Sequence, residues 1–129
     1  MAGLVMAAGT LALFWWELDR TGSLERAQTV ALTTMVLFQM FHVGNARSEF
    51  TSVFRINPFS NPFLLLAALA ALVVHVAALY LPPTQFILRV EPIELEAWIR
   101  ITLVASTIIA AMELHKYLRR DLSLLPPTR

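Results

Sequence analysis

Cysteine is absent from this chain, which excludes disulfides and thiolate metal sites but leaves the compartment open. Charge is scarce: Asp, Glu, Lys and Arg together make up 15% of the residues, and the net charge is +1. That balance offers no electrostatic footprint for nucleic acid. A Gly-rich phosphate loop, a Ser/His/Asp set and a carboxylate pair are also missing, so nothing in the chain could hydrolyse ATP. The three histidines, His42, His75 and His115, fall on different segments without metal-ligand spacing. No positive stretch precedes the first apolar run and no clear A-x-A site follows it, so a secretory signal is not expected.

Apolar residues are what the chain has in quantity. They make up 57% of its 129 residues, more than a soluble domain of this length carries. They gather into four runs: Ala2 to Trp16, about Ala27 to Asn45, Phe63 to Leu81, and about Ala97 to Leu114. A membrane span needs about 20 mostly apolar residues, and backbone pairing in lipid dictates helix. The expected fold class is therefore all-α, a polytopic membrane protein with four transmembrane helices in two antiparallel hairpins. The expected helices cover about 2–18, 27–46, 62–82 and 97–118, within one domain over 1–120. Residues 121–129 form a short, disordered tail in this reading. The first run is short: its fifteen residues span about 22 Å of a roughly 30 Å hydrocarbon core.

The punctuation agrees. Asn57-Pro58 and Asn61-Pro62 precede the third helix, Pro82-Pro83 ends it, and Glu91-Pro92 interrupts the next connection. Trp15, Trp16, Tyr80, Trp98 and Tyr117 fall at segment ends, where aromatic rings prefer the interface. Six of the ten basic residues (Arg47, Arg55, Lys116, Arg119, Arg120 and Arg129) lie in the connection after the second helix or at and beyond the end of the fourth. The positive-inside rule puts both regions in the cytoplasm. Four spans then place both termini there, and the expected location is the plasma (inner) membrane.

Polar residues at membrane depth carry the functional signal. In LFQMFHVGNARSE, residues 37–49, Gln39, His42 and Asn45 recur every three residues. Each step turns the helix by about 300°, a slow drift that predicts one polar stripe, with Glu49 returning close to the same side. Gln39 lies about 18 Å along its helix, and the other two sit nearer the cytoplasm. One reading is packing, through hydrogen bonds between membrane helices. The other is a cation site, with Gln39 as candidate single metal ligand through its amide oxygen. A divalent cation wants six or more oxygens, so most ligands would have to come from elsewhere. His75 reads as a hydrogen-bonded packing residue. Thr33, Thr34, Thr102, Ser106 and Thr107 read as back-bonding hydroxyls, and Glu113 with Lys116 as an i, i+3 ion pair. Gly3, Gly9 and Gly44 permit close helix approach.

Taken in order, these segments resemble the last four transmembrane helices of P-type cation-transporting ATPases, the calcium-pump and sodium-pump group. GTLALFWWEL is similar to the seventh helix, and AQTVALTTMVLFQMFHVGNARSE to the eighth. The stretch from SVFRINPF to ELEAWI resembles the ninth helix with its flanking connections, and MELHKYLRR the close of the tenth. The resemblance implies that Gln39 occupies the eighth-helix position that lends one side chain to a cation site. Sarcoplasmic-reticulum calcium pumps carry Glu there; plasma-membrane calcium pumps and sodium pumps carry Gln. Asn45 matches a family Asn read as structural. The phosphorylation loop, the nucleotide-binding and actuator domains and the fourth to sixth helices have no counterpart here. The expectation is a fragment or a descendant of one, without ATPase activity alone and with no cofactor in this chain. ATP and magnesium are implied only for a complete pump. The implied partners are the lipid bilayer, the remaining helices and cytoplasmic domains of the pump, and a cation such as calcium. The alternatives are an independent small four-helix membrane protein acting as an interaction or regulatory partner, and a small channel using Gln39, His42 and His75.

Overall fold

The computed structural model describes residues 1–45, 55 and 57–123, and these form helices connected by turns, with no strand among them. Helix α1 covers Ala2–Thr21, α2 Leu24–Asn45, α3 Pro62–Tyr80, α4 Pro82–Leu88 and α5 Leu95–Ser123. A 3₁₀ turn, Pro58–Ser60, precedes α3.

Each boundary has a local cause. α1 runs past its apolar stretch and stops at Gly22, whose φ of 67° is the left-handed conformation that glycine adopts without a Cβ penalty. Its 20 residues reach about 30 Å, longer than the apolar run alone implies, because the polar last turn is paired internally. Ser23 starts α2: its Oγ accepts from Arg26 N at 3.2 Å, satisfying one of the unpaired amides of the first turn. Asn61 does the same for α3 by accepting from Leu64 N at 3.1 Å, with Pro62 opening the helix. Leu81 is extended, as a residue before proline must be, and α3 ends there.

Two expected boundaries change. Pro82-Pro83 both ends α3 and opens α4, because proline is at home in a first turn; the connection is helical where a loop was expected. The fourth expected helix begins earlier and continues to Ser123, so the first three residues of the expected tail are helical. Residues 124–129 lie outside the described set. At 29 residues, α5 is about 43 Å long, more than the roughly 30 Å of a hydrocarbon core.

The packing is three helices plus one. α1, α2 and α5 are in mutual contact, and their shared core includes Leu13, Val30, Phe38, Ile101, Ala105 and Ile108. On α5 the buried positions Ala97, Ile101, Ala105 and Ile108 follow the helical period, so one stripe faces inward. Gly9 is where α1 crosses this core: a Cβ there would lie 2.7 Å from Phe38 Cζ and 3.1 Å from Val104 Cγ1. Gly3 and Gly44, expected to serve the same purpose, have open space around them. α3 stands apart. Its one fully buried residue is Leu79, near its end, and most of its other side chains are exposed. The third and fourth expected helices therefore do not form a closely packed hairpin; α5 packs with α1 and α2 instead. By length and composition, α3 and residues 95–120 of α5 are apolar enough to cross a membrane.

Candidate functional site

The polar residues of α2 separate onto different surfaces. Gln39 is exposed and Asn45 is fully buried. Two steps of three residues accumulate about 120° of drift, enough to carry the stripe from one flank of the helix to another. Gln39 lines an open groove of about 490 Å³ between α2 and α3, with Met35, Met40, Ala67, Ala68 and Ala71 among its walls. Its amide nitrogen donates weakly to Met6 Sδ on α1, at 4.0 Å. Among the described residues no group of three or more His, Cys, Asp or Glu could hold a metal ion. Gln39 could supply one oxygen, and the rest of a coordination shell would have to come from other chain segments.

His42 is half-buried, and its Nδ1 is buried with no hydrogen-bond partner. Asn45 meets Lys116 of α5. The Lys116 ammonium, itself buried, donates to Asn45 Oδ1 at 2.6 Å and to Asn45 O at 3.2 Å. It also lies 3.4 Å from Glu113 Oε1. A cation on the last carbonyls of α2 complements the negative end of the helix dipole. Arg47 and Glu49, which extend the stripe in sequence, lie outside the described residues.

His75 has Thr33 of α2 as its partner, with Nε2 and Oγ1 3.0 Å apart. Thr33 and Thr34 also donate to carbonyls four residues back, Thr29 O and Val30 O. Thr102, Ser106 and Thr107 likewise bond back to their own helix. These hydroxyls are thus occupied locally.

At the opposite end of the bundle stands a charge node that the sequence did not announce. Glu17 is fully buried. Its Oε1 accepts from Arg20 at 2.8 Å and from Arg26 Nε at 2.6 Å, and its Oε2 from Arg100 at 2.9 Å. Arg26 reaches on to Glu94, and Arg100 to Glu96. The Arg100 guanidinium also lies over the Trp16 ring, 4.1 Å from its centroid, in cation–π geometry. One carboxylate therefore ties α1, α2 and α5 together. Its partners are 3, 9 and 83 residues away in sequence; only Arg20 has helical spacing, so only that pair was legible beforehand.

A nearby hydrogen-bond relay fixes the end of α3. Trp98 Nε1 donates to Tyr80 Oη at 3.0 Å, and Tyr80 Oη donates to Ile93 O at 2.9 Å. Glu91 N donates to Thr29 Oγ1 at 3.0 Å, holding the connection before α5 against α2.

Residues 1–118 match the family described as cation transporting ATPase, C-terminus. Calcium-transporting ATPase type 2C member 2 of Mus musculus is 32% identical over 130 residues, covering 100% of this chain and 14% of that protein. A calcium-transporting ATPase of Plasmodium falciparum is 38% identical over 92 residues, 71% of this chain and 8% of that protein. The probable cation-transporting ATPase F of Mycobacterium tuberculosis is 32% identical over 108 residues, 84% of this chain and 12% of that protein. The chain spans 8 to 14% of the length of these relatives. It belongs to the family of C-terminal domains of cation-transporting P-type ATPases.

Proposed function

We propose that this chain acts as the C-terminal membrane domain of a P-type pump of the calcium-pump and sodium-pump group. In this reading α1, α2, α3 and α5 each span the bilayer, with both termini in the cytoplasm of a plasma (inner) membrane. The domain buttresses the pump's core transport helices. It lends Gln39 as one oxygen donor to a site for calcium or another small cation. ATP and magnesium would act on the other domains of the complete pump, and the chain has no ATPase activity alone.

The supporting observation is the placement of Gln39. An amide at membrane depth costs several kcal/mol if left without partners. Here it is exposed and lines an apolar groove, with a weak contact from its amide nitrogen to Met6 Sδ. Helices supplied by the rest of a pump would give it partners. The names of the relatives, calcium-transporting ATPases among them, favour calcium as the cation.

The second reading is an independent small four-helix membrane protein that binds or regulates a partner. The closed core of α1, α2 and α5 favours it, since such a unit holds together on its own contacts. An antibody raised against this chain, applied to membranes of the source cells, separates the two. A product of the relatives' size supports the pump reading; a product of 129 residues alone supports the other and contradicts the first.

A further inference from the structure

Helix α3 is fastened at one end. Leu79 is buried in the common core, Tyr80 is bonded to Ile93 and Trp98, and His75 meets Thr33. From His75 back to Pro62 the helix carries only apolar side chains, a lever of about 20 Å. Along that length it presents Ala67, Ala68 and Ala71 to α2 across the groove of about 490 Å³. Alanine is too short to fill such a space, whereas helices in contact normally interdigitate without voids. The residues flanking α3, Asn61 and Leu81, are both non-helical in backbone and can absorb a rotation.

We propose that α3 is a lever that pivots about its Tyr80 end, and that its Asn61 end closes on α2 and opens again. Closure brings the three alanines over Gln39 and empties the groove; opening uncovers Gln39. The bonds at His75 and Tyr80 lie close to the pivot and survive the motion. Collective helix movements of this kind take microseconds to milliseconds. The inference stands on the packing of α3 and does not require Gln39 to be a cation ligand.

The absence of native cysteine makes the test direct. Val43→Cys with Phe63→Cys places spin labels across the free end, at exposed positions of α2 and α3. Gln28→Cys with Leu81→Cys does so at the pivot, also at exposed positions. Double electron–electron resonance on the full chain in lipid nanodiscs should give a broad or two-peaked distance distribution for the first pair and a narrow one for the second. Ala68→Leu or, independently, Ala71→Leu fills the groove and should remove the shorter distances of the first pair only. Equal, narrow distributions for both pairs overturn the proposal, and so does a first pair unmoved by either leucine. If neither leucine variant folds, the comparison of the two widths decides.

Discussion

The Lys116 ammonium at the far end of α5 sits 2.6 Å from the Asn45 amide oxygen at the last residue of α2, across 71 positions of sequence. Both residues are buried, so this contact joins two helix ends in a setting where polar groups are costly to leave unsatisfied. Asn45→Ala and Lys116→Met should therefore couple. A double-mutant cycle on thermal or denaturant unfolding in detergent should return an interaction energy of about 1–3 kcal/mol. Strict additivity would mean that the contact contributes nothing to stability.

Glu17 concentrates three arginines on one buried carboxylate. Removing one member of such a node leaves opposite charges uncompensated, which costs about 3–5 kcal/mol. Glu17→Gln should lower the melting temperature of the purified chain far more than Glu96→Gln. Glu96 is exposed and makes one pair with Arg100, and exposed pairs contribute about 0–1 kcal/mol. Equal effects of the two substitutions would argue against the node.

At Gly9 the space is already taken. A methyl group there meets the Phe38 ring at 2.7 and 2.9 Å, and that ring is fully buried. Gly9→Ala should destabilise by about 1–3 kcal/mol through overpacking. Adding Phe38→Leu should restore part of the loss, because it removes the clashing atoms. Gly3→Ala and Gly44→Ala, with nothing within 4 Å, should be close to neutral on the same melting assay.

Tyr80 passes one hydrogen bond to the next, accepting from Trp98 and donating to Ile93. Tyr80→Phe removes both at a net cost of about 1–2 kcal/mol. In a Trp15→Phe, Trp16→Phe background, where Trp98 is the remaining tryptophan, its emission spectrum should shift when the indole loses this acceptor. An unchanged spectrum would place the indole hydrogen bond elsewhere.

The legible part of the structure is what local chemistry decides. Pro62 and Pro82 stand at the two ends of α3, and the long apolar runs locate α2 and α5. The missed parts depend on long-range partners or on accumulated geometry. Glu17 is only a charge near the end of the first expected helix until Arg26 and Arg100 arrive from other helices. α4 was hidden because a Pro-Pro pair signals a stop and a start equally well. The stripe of Gln39, His42 and Asn45 was real in spacing, but its drift per step, small for one turn, separates the ends onto different surfaces. That drift is why Asn45 is buried against Lys116 while Gln39 faces the open groove.

The most direct test of the proposed role is cation-dependent phosphorylation from ATP, measured in a complete pump that carries this domain, with Gln39→Ala and Gln39→Glu beside the parent. Loss of one oxygen donor should weaken the apparent calcium affinity by about tenfold, near 1.4 kcal/mol, for Gln39→Ala, while Gln39→Glu, which keeps an oxygen at that position, retains most of it. A Gln39→Ala pump with the parent's cation affinity would contradict the account and leave Gln39 as a packing residue of α2.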